Sequence, residues 1–196
     1  MRQTIIYFVR HGTIKNKNPK VIPGDYDFPI NSKGKAEIQK VANWLSKEDI
    51  SALYSSPIKR ALESAEIIQK KFLNLRINKS SEIREWIRPW RGKVYKKVIK
   101  TREWQVYLSN PTKLTGYQDL KGLSERMLKF LKKLLKKHSS KEIVCVTHQD
   151  AIRALRLRLG RKPLDLLNKI RCKRGSITIL YFNGNKLNKI RYIEPK

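Results

Sequence analysis

Three short runs of apolar residues lack the alternation of a half-exposed strand. They span Thr4–Val9, Ala52–Ser55 and Glu142–Thr147. Such runs are typical of strands buried on both faces of a sheet. A weaker run of the same kind covers Leu73–Ile77. The pattern therefore predicts a central sheet with apolar neighbours on both sides.

Between these runs, apolar residues recur at the three- and four-residue spacing of amphipathic helices. The four predicted helices cover about residues 32–46, 56–72, 123–138 and 150–159. Ser32 is the predicted N-cap of the first, and Ser56 with Pro57 begins the second. Gly160 is predicted to end the fourth helix. Strands therefore alternate with helices along the chain.

Two further segments complete the prediction. The last residues, Ser176–Phe182 and Lys186–Ile193 around Asn183–Asn185, read as a β-hairpin at the sheet edge. Residues 86–120 are interrupted by Pro, Gly and Trp, and only Val94–Leu108 favours a helix, so this insertion is expected to be a cap. The prediction is an α/β fold: a three-layer α/β/α sandwich with a mostly parallel central sheet, in a single domain over residues 1–196.

The composition limits the partners, cofactors and cellular location that we expect for this protein. The 196 residues contain 45 Lys and Arg against 16 Asp and Glu, a net charge of +29 that favours anionic partners. No apolar run reaches the roughly 18 residues of a membrane span, so neither a membrane segment nor a signal peptide is expected. Cys145 and Cys172 have no metal-binding or redox spacing. A cytoplasmic protein without a metal or other cofactor is expected.

Candidate chemistry lies where the predicted strands end. His11 and His148, two of the three histidines, each follow a strand directly. Arg10 precedes His11, and Arg60 lies just beyond the second strand. Because ligands bind beyond the carboxyl ends of parallel strands, we expect these four side chains to meet. A neutral imidazole can attack phosphorus, and guanidinium groups bind phosphate oxygens through paired donors, so the set predicts a phosphate site.

Three motifs carry a resemblance to a known family. They are Val9-Arg10-His11-Gly12, Ser55-Ser56-Pro57-Ile58-Lys59-Arg60-Ala61 and Val146-Thr147-His148. Together, and in this order, they resemble the motifs of the histidine phosphatase superfamily in its phosphoglycerate mutase-like branch. The segments from Gly24 to Gly34 and Ile83-Arg84-Glu85 are similar to further parts of that family, so the resemblance covers nearly the whole chain.

The resemblance implies a role for each matching residue. His11 would be the nucleophile that becomes phosphorylated, with His148 completing the catalytic pocket. Arg10 and Arg60 would bind the phosphoryl group. Glu85 would protonate the leaving oxygen and then activate water, a contribution that is typically about 10²–10⁴-fold. Gly12, Asn16 and Gln149 complete the predicted substrate-binding residues.

The sequence also departs from the family pattern. The asparagine expected six positions after the nucleophile is replaced by Asn16 and Asn18 at five and seven. Gln149-Asp150 stands where Gly-Gly is usual, which makes Asp150 a second candidate acid. The stretch Trp86–Gly92 replaces the usual Gly-x-Trp-Glu pattern in the region of the cap.

These observations predict a phosphatase that hydrolyses phosphomonoesters of small molecules through a phosphohistidine on His11. Phosphoglycerate mutase-type transfer is the alternative within the same family, and the short cap favours hydrolysis. A basic nucleic-acid-binding protein is the alternative from another class, although the cations are spread over every segment. The sequence leaves a homodimer and the identity of the substrate open.

Overall fold

The computed structural model describes residues 3–16, 19–24, 26–114 and 119–196. Its strands are β1 (Thr4–Arg10), β2 (Ile50–Ser55), β3 (Ile77–Lys79), β4 (Glu142–Thr147), β5 (Ile177–Asn183) and β6 (Lys186–Ile193). Its α-helices are α1 (Ser32–Leu45), α2 (Lys59–Gln69), α3 (Tyr95–Val98), α4 (Arg102–Ser109), α5 (Leu120–Lys137) and α6 (Gln149–Leu159). Short 3₁₀ turns lie at Ser81–Ile83, Pro111–Lys113 and Leu164–Lys169.

The six strands form one sheet in the order β3-β2-β4-β1-β5-β6. The first four in that order are mutually parallel, whereas β5 runs antiparallel to both β1 and β6. The last two strands are thus the predicted hairpin at the sheet edge, with Gly184 in its turn at a φ of 57°. The predicted mostly parallel sheet is confirmed.

Alternate side chains of the central strands enter different layers of the core. In β1, Ile6 and Phe8 pack into one apolar cluster, whereas Tyr7 and Val9 pack into the other. The cluster on the first side includes α5, α6 and the segment before α5, and the cluster on the second includes α1 and α2. Burial on both faces explains why these strands do not alternate between apolar and polar residues.

The boundaries of several elements differ from the predictions for local reasons. Asn31, not Ser32, caps α1, and its side chain accepts a hydrogen bond from Gly34 N. Ser56 does not cap α2, which begins at Lys59. Strand β3 overlaps the apolar run that predicted it only at Ile77, because residues 77–79 are the ones that pair with β2.

The predicted cap segment contains two helices rather than one. The apolar pattern over Val94–Leu108 is divided between α3 and α4, because Thr101 begins a new helix by accepting a hydrogen bond from Trp104 N. Residues 115–118 of the predicted cap lie outside the described residues. None of the described helices is long and apolar enough to cross a membrane.

Candidate active site

Three parallel strands end at the same edge of the sheet and bring the candidate residues together. Arg10 at the end of β1 is in register with Thr147 at the end of β4, and Ser55 at the end of β2 is in register with Val146. His11 and His148 follow directly, and their rings lie 5.2 Å apart, centroid to centroid, at 61°. The convergence predicted from the strand ends is therefore present.

The His11 ring is buried and its two nitrogens have different partners. Nδ1 lies 2.8 Å from the carbonyl oxygen of Gly12, which can only accept, so the ring proton is on Nδ1. Nε2 therefore carries the lone pair, and it accepts a hydrogen bond from Arg60 Nε at 3.1 Å. Burial lowers the pKa of His11 well below its ordinary value, and the charges of Arg60 and Arg10 lower it further. The ring stays neutral, and its Nε2 lone pair becomes free to attack phosphorus when Arg60 Nε donates to a phosphoryl oxygen instead.

Arg60 is only 1% exposed, in the first turn of α2, and backbone carbonyls hold its guanidinium in place. Its Nη1 donates to Tyr26 O at 3.0 Å and its Nη2 donates to Gly24 O at 2.5 Å. Its Nε faces His11. The guanidinium is therefore fixed by the loop before α1 while one edge remains directed at the nucleophile.

Arg10 and His148 each present a buried nitrogen with no hydrogen-bond partner among the described residues: Nε of Arg10 and Nδ1 of His148. Arg10 is held by its Nη1, which donates to Cys172 O at 2.6 Å. His148 Nε2 lies 2.8 Å from Ser56 Oγ, which also accepts from Ile58 N. Ser56 Oγ can either donate to Nε2 or accept from it; when it donates, the proton of the neutral His148 ring is on Nδ1.

Glu85 is held by the backbone around it. Its Oε1 accepts hydrogen bonds from Trp86 N at 3.0 Å and from Asp150 N at 3.3 Å. The preceding residues are fixed by Thr147 Oγ1, which donates to Ile83 O at 2.5 Å, and by Arg126, which donates to the carbonyl oxygens of residues 82 and 84. The side chain is therefore placed by β4, α5 and α6 together.

The environment of Glu85 favours its protonated form. Burial raises the pKa of Glu85, the nearby Asp150 carboxylate raises it further, and the guanidinium groups of Arg88 and Arg60 act in the opposite direction. Raised pKa values of this kind are typical of carboxyl groups that donate protons. Asp150, the other candidate acid, is fully buried and forms an ion pair with Arg88.

The three remaining predicted residues lie in different places. Asn16 and Gln149 line the cavity in front of His11, and the Asn16 side chain also bonds both backbone polar groups of Val21. Gly12 lies behind His11 and donates its N–H to Ser64 Oγ. A Cβ there would lie 2.4 Å from the carbonyl oxygen of Gly34, so a close backbone approach requires Gly12. Asn18 lies outside the described residues.

Comparison with known proteins decides the family. The sequence profile of the histidine phosphatase superfamily (branch 1) matches residues 6–194. The chain belongs to the histidine phosphatase superfamily. The family predicted from the three motifs is thereby confirmed.

Relatives of this histidine phosphatase include a phosphoglycerate mutase-like protein and a phosphoserine phosphatase. Phosphoglycerate mutase-like protein 4 of Arabidopsis thaliana is 35% identical over 173 residues, which cover 83% of this chain and 75% of the relative. Phosphoserine phosphatase 1 of Hydrogenobacter thermophilus is 26% identical and covers 92% and 88% of the two chains. The solved structure of YhfR from Bacillus stearothermophilus has a TM-score of 0.86 at 24% identity, with 94% of each chain covered, which shows the shared fold.

The histidine phosphatase site also contains residues that sequence reasoning did not select. A cavity of about 480 Å³ opens in front of His11, and its wall includes three further cations, Lys20, Arg88 and Arg174. The sequence signal for Arg88 was its place in the stretch that departs from the family pattern. The other two lie in loops, where no local pattern marks them.

The tryptophans of the predicted cap have two roles at once. Trp86 and Trp104 line the cavity, as does Tyr95. Trp86 and Trp90 are also buried in the apolar cluster on the α5 and α6 side, where both rings pack against Tyr107. The cap residues therefore build the cavity wall and the core beneath it. No group of three His, Cys, Asp or Glu side chains in the described part of the chain could hold a metal ion.

Proposed function

We propose that this histidine phosphatase hydrolyses phosphomonoesters of small molecules through a phosphohistidine on His11, without a metal ion. The observation that carries the proposal is the buried His11 ring, whose Nδ1 lies against the Gly12 carbonyl oxygen and whose Nε2 faces the cavity-lining guanidinium of Arg60. Family membership and the phosphatase relatives confirm the prediction that the chain is a phosphatase. The intermediate and the residue roles are our proposal.

In the first half of the reaction, His11 Nε2 attacks the phosphorus atom and the bond from phosphorus to the leaving oxygen breaks. Arg10 and Arg60 bind the non-bridging oxygens, and His148 Nδ1 donates a further hydrogen bond to them. Glu85 gives its proton to the leaving oxygen, so the alcohol departs neutral. The unpartnered nitrogens of Arg10 and His148 support this assignment, because a phosphoryl oxygen would satisfy both.

In the second half, the Glu85 carboxylate takes a proton from water and the resulting hydroxide attacks the phosphorus atom. The bond from phosphorus to His11 Nε2 breaks, which releases inorganic phosphate and restores the lone pair. Glu85 is again protonated at the end. Glu85 is favoured over Asp150 because its pKa is raised and because Glu85 lines the cavity, whereas the Asp150 carboxylate forms an ion pair with Arg88.

The substrate is proposed to be a phosphorylated small molecule whose remainder lies under the cap. The cavity volume of about 480 Å³ is in the usual range for sites of small ligands. Both cysteines, Cys145 and Cys172, are unpaired and buried, which supports the proposed cytoplasmic location. The cap over residues 86–120 is proposed to select the leaving group.

The mutase alternative uses the same first half-reaction and differs in the acceptor of the phosphoryl group. Release of inorganic phosphate from 3-phosphoglycerate without formation of 2-phosphoglycerate would favour hydrolysis. Formation of 2-phosphoglycerate without release of inorganic phosphate would favour transfer. Nucleic-acid binding stays an alternative prediction. Loss of retention on duplex DNA at physiological salt would remove it.

The test is a phosphatase assay with an aryl phosphate in the presence of a chelator, on the parent and on His11→Ala. The expected result is loss of activity in the variant and, in the parent, an acid-labile phosphorylated protein trapped by rapid quenching. His138→Ala is the matched control, because His138 contacts Tyr54 and does not line the cavity. Equal activity of His11→Ala and the parent would refute the proposed function.

A further inference from the structure

Asp150 is a fully buried acidic residue to which the proposed reaction assigns no step. It lies in the first turn of α6, and its Oδ2 forms an ion pair with Nη2 of Arg88. Arg153 Nη1 lies 3.6 Å from the other carboxylate oxygen. The guanidinium of Arg88 in turn lies over the ring of Tyr107, 4.9 Å from its centroid. Arg153 therefore holds the Asp150 side of the pair, and Tyr107 holds the Arg88 side.

Asp150 contacts the proposed acid directly, and Arg88 lies beside the same cavity. The backbone N–H of Asp150 donates to Oε1 of Glu85 at 3.3 Å, and Arg88 lines the same cavity as Glu85. One member of the pair brings a negative charge to Glu85 and the other brings a positive charge. Further charged or titratable groups that act on Glu85 include Arg60, Arg10, Arg126 and Tyr107.

The two charges have opposite effects on proton transfer. A neighbouring carboxylate resists a second negative charge, so Asp150 favours a protonated Glu85 before the leaving oxygen takes the proton. A neighbouring guanidinium stabilises the carboxylate that remains, so Arg88 favours proton release. The direction of the pKa of Glu85, raised by Asp150 and lowered by Arg88, agrees with this reasoning.

We propose that Asp150 and Arg88 form a positioning pair for Glu85, which sets the pH range over which Glu85 donates its proton to the leaving oxygen. The Asp150 backbone orients the acid. The Asp150 carboxylate favours the protonated form of Glu85, and the Arg88 guanidinium favours the ionised form that remains after proton transfer. This inference rests on the proposed function, in which Glu85 is the acid.

The test compares two single variants that leave opposite charges beside Glu85. Asp150→Asn removes the negative charge and leaves Arg88 less compensated, so the basic limb of the profile of kcat against pH should move to lower pH. Arg88→Met removes the positive charge and leaves Asp150 less compensated, so the same limb should move to higher pH. Each shift should be about one pH unit, as expected for a charge at close range.

The profile is measured with glycerol 2-phosphate, whose alkoxide needs a proton to leave, and compared with that of an aryl phosphate, which should shift less. The matched control is the exposed ion pair of Arg171 and Glu194, where Arg171→Met should leave the profile unchanged. A purely structural role would lower kcat by the same factor at every pH, or move the basic limbs of Asp150→Asn and Arg88→Met in the same direction. Either outcome, or unmoved limbs, would overturn the inference.

Two further measurements keep the result interpretable. If Arg88→Met does not fold, the double variant Arg88→Met/Asp150→Asn replaces it, since it buries no unpaired carboxylate. Its basic limb should lie at higher pH than that of Asp150→Asn. A trapped phosphohistidine together with an unmoved basic limb in the profiles of kcat against pH would refute only the role of Asp150 and Arg88. A His11→Ala variant as active as the parent would refute the proposed function itself.

Discussion

Replacement of Glu85 by Gln isolates the proton that the proposed acid donates. The glutamine carbonyl oxygen can take the place of Oε1 and keep the hydrogen bonds from Trp86 N and Asp150 N, so the backbone around it is preserved. What is lost is a proton that can be transferred. Such a loss costs about 10²–10⁴-fold in rate, or about 3–5 kcal/mol in activation free energy.

The loss should depend on the leaving group. Hydrolysis of glycerol 2-phosphate should fall by about 10²-fold or more, because an alkoxide leaves poorly without a proton. Hydrolysis of an aryl phosphate should fall far less, because its phenolate leaves as an anion. Steady-state kcat values for both substrates, on parent and variant, are the measurement. An equal loss for both substrates would refute the assignment of Glu85 as the acid.

The same substitution has a second, independent readout in stability. The folded protein raises the pKa of Glu85 above its unfolded value, so ionisation above that unfolded pKa is less favourable in the folded state. The parent therefore loses stability as the pH rises from the unfolded toward the folded pKa. Glu85→Gln should remove this loss and unfold at a higher temperature than the parent at neutral pH. Equal pH dependence of the two melting temperatures would contradict the direction of the shift.

Three other substitutions test the framework around the nucleophile. Arg60→Lys should lower kcat/KM by about 10²-fold or more, because an ammonium cannot reproduce the fixed fork of donors, and far-ultraviolet circular dichroism checks the fold. Gly12→Ala should destabilise the protein by about 1–3 kcal/mol in urea unfolding, because the new methyl group meets the Gly34 carbonyl oxygen, and an unchanged midpoint would contradict this. The pKa of His148 is lowered in the folded state, so the protein should lose stability as the pH falls below the unfolded pKa of about 6.5. The fall in melting temperature between pH 7 and pH 5 should therefore be smaller for His148→Gln than for the parent.

Much of the fold was predictable because its signals are local. The runs that form β1 and β4 are apolar without alternation, and this property follows directly from burial on both faces. The carboxyl ends of parallel strands share an edge, so the convergence of His11 and His148 followed from their places in the sequence. The helix boundaries were less accurate, because Ser56 looks like a cap in sequence but bonds His148 in the folded chain.

The sequence by itself determined the layers of the fold, the strand ends that carry the chemistry and the family. Only the tertiary structure decided which nitrogen of His11 holds the proton, because that depends on the Gly12 carbonyl and on Arg60, 49 residues away. It also showed that the unusual residues Arg88 and Asp150, 62 positions apart, pair with each other. Hydrophobic periodicity reports burial within one element, whereas hydrogen bonds and ion pairs between elements depend on how the chain brings distant residues into contact.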